Sequence, residues 1–150
     1  MICTTLAIAD FVASSAAFVR DNLTRPGSDF QKKLTAWIDG SSKPTAADGH
    51  IALVLDQGEI VGWARTEQWS AGDDGADGYV MYDTLEAFVA PSYRLRGIAA
   101  FAASGIFSAV LHENGGTVAV FHPHMLLVAR RAGFWPTLFE KEGGQWLRVQ

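Results

Sequence analysis

A strand, a turn and a helix in the middle of the sequence constrain the fold of this chain more than any other feature. An apolar, strand-like stretch ends near Val89, and Pro91 blocks its continuation. Gly97 stands where an apolar helical pattern begins, and a glycine lets a ligand approach the backbone closely. The first N–H groups of a helix have no partner within it and carry the positive end of its dipole. Such a turn, flanked by Arg94 and Arg96, suits a pyrophosphate.

Helical and strand-like stretches alternate along the chain, which predicts a mixed α/β fold. Strand patterns cover residues 2–8, 51–55, 60–66, 79–89 and 117–121. Helical patterns cover residues 29–38, 95–112 and 125–132, and an earlier helix is capped by Asp10 and carries Phe11, Val12, Ala16, Phe18 and Val19. The helix over residues 95–112 is apolar on most faces, so we expect it to be largely buried. We expect a loop over residues 70–78 and a terminal hairpin over residues 136–149, turning at Gly143-Gly144.

Composition limits the classes of function. The chain has 150 residues and no internal repeat, so we expect one domain over residues 1–150. A net charge of −4 argues against a nucleic-acid partner, which needs clustered cations. The single cysteine, Cys3, excludes an intrachain disulfide. The sequence shows neither a secretory signal nor an apolar run that spans a bilayer, so we expect a cytoplasmic protein without a membrane partner.

The strand–turn–helix segment resembles the acyl-coenzyme A signature of the GNAT superfamily of N-acetyltransferases. That signature is Gln/Arg-x-x-Gly-x-Gly/Ala, and Arg94, Gly97 and Ala99 match it. Family members often precede it with Val-x-Pro-x-Tyr-Arg, which the chain reproduces from Val89 to Arg94. They also follow it with a short strand, a helix and Gly-Phe, which correspond here to residues 117–121, residues 125–132 and Gly133-Phe134.

The resemblance implies a central mixed, mostly antiparallel sheet flanked by helices and splayed between its fourth and fifth strands. Acetyl-coenzyme A would be the co-substrate, with its pantetheine arm in the splay. His122 and His124 suggest a metal site, but the sequence offers no third ligand at useful spacing, so we expect no metal. The implied coenzyme-binding residues are Phe88, Val89, Arg94, Leu95, Arg96, Gly97, Ile98, Ala99 and His122, the last standing where many members have Asn. A small-molecule or peptide amine would enter near the N-terminal helices and residues 70–78. An oligomer is compatible with this scheme.

Transfer to an amine needs a base, because an alkylammonium group has a pKa of ~10.4. Two carboxylates on the fourth predicted strand are candidates, Asp83 and Glu86. Their odd separation puts them on opposite faces of an unbroken strand, although a bulge would alter this. Asp83 lies where several family members carry a glutamate base. We therefore expect Asp83→Asn to lower the rate more than Glu86→Gln.

The general acid departs from the family pattern, because Ala129 stands where many family members have the tyrosine that protonates the departing thiolate. The coenzyme A thiolate is an adequate leaving group without a general acid. Alternatively, Tyr82, His122 or His124 would take the place of the tyrosine. No serine or cysteine has a base placed beside it, which favours direct transfer over a covalent acyl-enzyme. The alternative is a non-catalytic acyl-coenzyme A-binding module, which Ala129 supports.

Overall fold

The computed structural model describes the backbone of residues 1–71, 80–110, 117–120, 123–141 and 144–149. It describes the side chains of these ranges except at 69–71, 80–83, 110, 117, 119, 135–141 and 144–149. The strands are β1 (Ile2–Ala7), β2 (His50–Asp56), β3 (Glu59–Ala71), β4 (Val80–Val89), β5 (Thr117–Val120), β6 (Phe134–Lys141) and β7 (Gly144–Val149). The helices are α1 (Ile8–Ser14), α2 (Ala16–Asn22), α3 (Asp29–Asp39), α4 (Ile98–Val110) and α5 (Pro123–Ala132).

The strands form one mixed sheet with the order β1-β2-β3-β4-β5-β7-β6. Neighbouring strands are antiparallel except β4 and β5, which are parallel and therefore need the crossover through α4. The predicted mixed, mostly antiparallel sheet with flanking helices is confirmed. None of the described helices is long and apolar enough to cross a membrane.

The sheet opens between β4 and β5. In the described part of the chain these strands pair only at Asp83↔Val118 and Thr84↔Ala119. Residues 85–89 of β4 continue beyond that point with partners on β3, from Thr66↔Leu85 to Gly62↔Val89. The predicted splay is confirmed, and its closed end lies at Thr84.

Two apolar clusters cover the two faces of the sheet. On the face that we call the α3 face, α1 to α3 pack on strand residues that include Ile51, Leu53 and Trp63. On the opposite face, the α4 face, α4 and α5 pack on residues that include Ala52, Ala64 and Leu85. These two sets alternate along the strands, as a sheet buried on both faces requires. The fold thus separates an α4 side from an α3 side at every position of β4.

The N-terminal helix differs from the prediction. Asp10 does not cap it: α1 begins at Ile8, directly after β1, and Ala7 takes the N-cap position without a side-chain bond. Ser15 leaves helical geometry, with φ −133° and ψ −3°, and divides the predicted helix into α1 and α2. Phe18, in α2, is 46% exposed.

Other helices and strands begin or end at residues different from those predicted. Helix α4 begins at Ile98 rather than residue 95, and it is buried on one face only, with Phe101 and Ser104 exposed. Strand β3 extends through Ser70 to Ala71, so the predicted loop begins later; residues 72–79 lie outside the described part. The terminal hairpin is confirmed in kind, with β6 beginning at Phe134 and β7 at Gly144.

Candidate active site

The segment from residue 94 to residue 99, which we call the phosphate loop, connects β4 to α4 in a left-handed conformation at two positions. Leu95 has φ 64° and Gly97 has φ 75°. Alternation of left-handed and other residues makes successive N–H groups converge, which is the geometry of a backbone anion nest. Gly97 is the residue best suited to this backbone, and a Cβ built on it would meet nothing within 4 Å. The loop therefore presents bare backbone to open space.

Most N–H groups of the phosphate loop have no partner in the part of the chain that the structure describes. The Arg94 N–H donates weakly to the Pro91 carbonyl, at 3.4 Å, and the Phe101 N–H donates to the Gly97 carbonyl, at 3.0 Å. Between these two, the N–H groups of residues 95–99 find no backbone acceptor in the described structure. They lie at the N-terminus of α4, where the helix dipole favours an anion.

Close packing fixes the start of α4 against the sheet. A Cβ built on Gly62 of β3 would lie 2.9 Å from Ile98 Cγ2 and 3.1 Å from the Phe88 carbonyl oxygen. A larger residue at position 62 would therefore clash with Ile98 at the start of α4 and with the backbone of β4. The glycine therefore holds the phosphate loop at the open edge of the sheet, which is the position that the sequence predicts for a coenzyme.

Tyr93 attaches the phosphate loop to the β2–β3 turn. Its hydroxyl donates to Asp56 Oδ2 at 3.0 Å, and Arg96 lies over its ring at 5.2 Å. The hydrogen bond to Asp56 raises the pKa of the Tyr93 hydroxyl, with further contributions from burial and from the charges of Asp56 and Glu59. Tyr93 is therefore a neutral anchor of the loop.

The Arg94 side chain contacts the end of β4. Its Nε donates to the Val89 carbonyl at 3.1 Å, and its guanidinium lies 5.6 Å from the Phe88 ring centroid. The Ala90 N–H donates to Val61 on β3, at 2.8 Å. Because the two polar groups of a trans peptide point in opposite directions, the Val89 carbonyl points away from β3 and into the splay. Arg94 thus covers the backbone group that is implied to pair with pantetheine.

The open edge of β4 repeats this orientation at every second residue. The N–H and C=O groups of one strand residue point to the same side. By alternation from Val89, those of Ala87 and Leu85 also point into the splay, where pairing with β5 has ended. The opening is lined with backbone donors and acceptors over residues 85–89, roughly 13 Å at ~3.3 Å per residue.

Glu86 lies on the α3 face. The β3–β4 register runs without a shift from Gly62↔Val89 to Ala71↔Val80, so no bulge interrupts the alternation. Leu85 packs in the α4 cluster and Phe88 against the α3 cluster, which gives Glu86 the side of α3 and gives the Asp83 position the opposite parity. The Glu86 side chain is 46% exposed, and its Oε1 accepts from Arg65 Nε at 2.7 Å.

Arg65 connects Glu86 to a partly buried group of charges. Its side chain is only 4% exposed and lies 4.2 Å from the Phe30 ring centroid. Its second amino group is 3.4 Å from Glu67 Oε2, and Glu67 is also paired with Lys33. Lys33 reaches Asp48 at 3.5 Å as well. The remaining guanidinium nitrogen of Arg65, Nη1, is buried and has no hydrogen-bond partner among the residues that the structure describes.

The other predicted residues are placed as follows. Asp83 pairs through its backbone register with Gln68 and Val118, at the closed end of the splay, and its side chain lies outside the described part. Tyr82 is in β4 with the same restriction, and His122 lies outside the described residues. Ala129 is fully buried in the α4 cluster. His124 is exposed in the first turn of α5.

Sequence reasoning missed Arg65 and Lys33. The alternation Arg65-x-Glu67 on a predicted strand was the available signal, since it marks two charges on one face. Two further facts were needed: that this face is covered by α3, and that Arg65 stands opposite Glu86. Both depend on the register between distant segments.

Comparison with known proteins identifies the fold. YncA from Salmonella typhimurium, assigned as an acetyltransferase and determined with acetyl-CoA, matches with a TM-score of 0.58 and 12% identity over 99% of this chain and 93% of that one. The GNAT domain of S. lividans PAT matches with a TM-score of 0.59 and 14% identity over 97% and 87%. A structure described as a bacterial toxin matches with a TM-score of 0.59 and 15% identity over 99% and 90%. No protein-family model and no curated protein matches the sequence. The chain has the fold of the GNAT acetyltransferases.

Proposed function

We propose that this chain, built on the fold of the GNAT acetyltransferases, transfers an acyl group from coenzyme A directly to an amine acceptor, with acetyl-coenzyme A as the preferred donor. One observation carries the proposal: the splay between β4 and β5 leads to a loop of free N–H groups at the start of α4. A ligand that fills both must have an anionic end and a long arm with amide groups. Acyl-coenzyme A has both, since its pyrophosphate matches the phosphate loop and its pantetheine matches the open edge of β4.

We assign the pyrophosphate to the N–H groups of residues 95–99 and to the charge of Arg96. The pantetheine would run along residues 85–89, with hydrogen bonds to the polar groups of Val89 and Ala87. Binding there requires Arg94 to release the Val89 carbonyl, after which its guanidinium is available to a phosphate oxygen. The thioester would then approach the closed end of the splay, near Thr84.

Glu86 is our choice for the base. It lies on the α3 face, where the acceptor would enter, and Oε1 is held by Arg65 while Oε2 has no protein partner in the described structure. Oε2 would accept the proton of the attacking amine, directly or through a water. Asp83 is the second candidate; its position has the parity of the α4 face and pairs on both edges, which makes access from the α3 face less direct.

The bonds change in a direct transfer. The neutral amine nitrogen attacks the thioester carbonyl, and an N–H of the open edge, that of Ala87 or Val89, donates to the oxyanion. The carbon–sulfur bond then breaks, and the thiolate takes a proton from solvent. The nitrogen, positively charged after its attack, gives one proton to Glu86 Oε2, directly or through a water, and the N–C bond remains in the product amide. Ala129 is buried and has no ionisable group, so the position that holds a tyrosine in many family members supplies no general acid here.

A screen of amines with acetyl-coenzyme A, monitored by release of free thiol, tests the proposal. We expect wild-type turnover with at least one amine and its loss in Gly97→Val. Calorimetry on the same proteins separates the alternatives. Acetyl-coenzyme A binding without turnover on any amine would make the chain a binding module, and absence of binding would contradict both proposals.

A further inference from the structure

We propose that Arg65 is a positioning residue, which orients the Glu86 carboxylate so that one oxygen is available as base. This inference rests on the proposed function, because it concerns the same site. It adds a residue that lies on β3 and does not belong to the strand–turn–helix signature.

A direct hydrogen bond joins Arg65 to Glu86. Arg65 Nε reaches Glu86 Oε1 at 2.7 Å, a charge-assisted hydrogen bond of normal length. The two residues are direct partners in the β3–β4 register, so their side chains emerge side by side from the sheet. The Arg65 guanidinium is buried and contacts Phe30 and Glu67 as well as Glu86. A half-exposed glutamate tied to a buried arginine has fewer rotamers available than a free one.

The burial of the Arg65 guanidinium argues against a purely structural role. Burial of a charged group is costly unless all its donors are satisfied, and an unpaired buried donor typically costs about 1–3 kcal/mol. A packing role on this face would be served by an apolar side chain of similar volume at lower cost. A buried guanidinium with a short bond to a half-exposed carboxylate is the arrangement expected where the orientation of that carboxylate matters.

The other half of the charge group supplies an internal control. Lys33 pairs with Glu67 and Asp48 and makes no contact with Glu86 in the described structure. It joins α3 to β3, which is a structural task. If the charges mattered only for stability, loss of Lys33 and loss of Arg65 would affect turnover similarly.

A double-mutant cycle tests the proposal. Turnover of the amine acceptor found by the thiol-release screen is measured for wild type, Arg65→Met, Glu86→Gln and the double variant. We expect Arg65→Met to lower kcat about tenfold with little change in the KM for acetyl-coenzyme A. In the Glu86→Gln background the same change should have no further effect, because Arg65 acts through Glu86. Lys33→Met should keep kcat within about twofold of wild type.

Arg65→Lys extends the test if Arg65→Met does not fold. Lysine keeps the charge but lacks the Nε–H group that holds Glu86, so we expect a smaller loss of kcat that again disappears in Glu86→Gln. Equal losses of kcat in both backgrounds, or an unchanged kcat in a folded Arg65 variant, would overturn the role of Arg65 alone. A wild-type chain that binds acetyl-coenzyme A and acetylates no amine would instead contradict the proposed function, and the Arg65 role with it.

Discussion

The phosphate loop and the Arg65–Glu86 pair are built in opposite ways. The loop is exposed, is made of backbone N–H groups, and depends on local conformation at Leu95 and Gly97. The pair is half buried, is made of side chains, and depends on the alignment of β3 with β4. A backbone site tolerates many neighbouring side chains and requires only a few residue types within one segment, so a short sequence motif reveals it. A side-chain site on paired strands leaves none that can be read from one segment.

The largest expected effect concerns the side-chain site. Glu86→Gln should lower kcat/KM about a hundredfold or more, since a general base contributes that much, while acetyl-coenzyme A affinity stays unchanged. Asp83→Asn should have a smaller effect. Steady-state kinetics on both variants check this, with calorimetry as the control for binding. A full-rate Glu86→Gln beside an inactive Asp83→Asn would return the role to Asp83, the order that sequence position alone favours.

The backbone site should respond to one added side chain. Gly97→Val should weaken acetyl-coenzyme A binding about ten- to a hundredfold, or about 1.4–2.8 kcal/mol, because the new side chain lies where the pyrophosphate would approach. Gly40→Val is the matched control. Gly40 also has a left-handed φ, 80°, and open space around it, but it ends α3.

The two glycine variants should lose similar stability, since each forces a branched side chain into a left-handed conformation. Thermal unfolding measures that loss, and calorimetry measures the binding. If Gly40→Val weakens binding as much as Gly97→Val, the effect is one of stability, and the phosphate loop is not the pyrophosphate site.

A smaller effect separates the two arginines. Arg96→Ala should weaken acetyl-coenzyme A binding about fivefold and flatten its salt dependence, as expected for a charge beside a phosphate. Arg94→Ala should lose less, because removal of its side chain also frees the Val89 carbonyl for pantetheine. The effects on S-acetylpantetheine, which has no phosphate, should differ in direction. Arg94→Ala should tighten its binding and Arg96→Ala should leave it unchanged; equal effects on both ligands would rule out the exchange at Val89.

The elements predicted from local patterns were the most accurate. Turn residues predict the β2–β3 hairpin and the β4–α4 turn. The splay between β4 and β5 follows from the family resemblance. The start of α4 was misplaced because a helical apolar pattern runs back to Leu95, whereas positive φ at Leu95 and Gly97 delays the helix to Ile98.

Two other features depended on contacts that one sequence does not display. Aspartate is a common N-cap residue, but Asp10 lies inside α1. Strand β1 pairs with β2 up to Ala7, and the helix begins at the next residue, so Ala7 is the N-cap. Arg65 carries no motif, and its partner Glu86 is brought beside it only by strand register. Tertiary pairing decides both, and it overrides the local preference of a capping aspartate or an exposed arginine.

The one-sided pairing of β4 has a consequence for amide hydrogen exchange. The Ala90 N–H, which faces β3, is bonded to Val61 and should exchange slowly, and by alternation the Phe88 N–H should also. The Ala87 and Val89 N–H groups face the opening and should exchange fast in the free protein. Occupation of the opening would slow only this second set. Alternate residues of one strand would then record whether the cleft is filled, without an acceptor and without turnover.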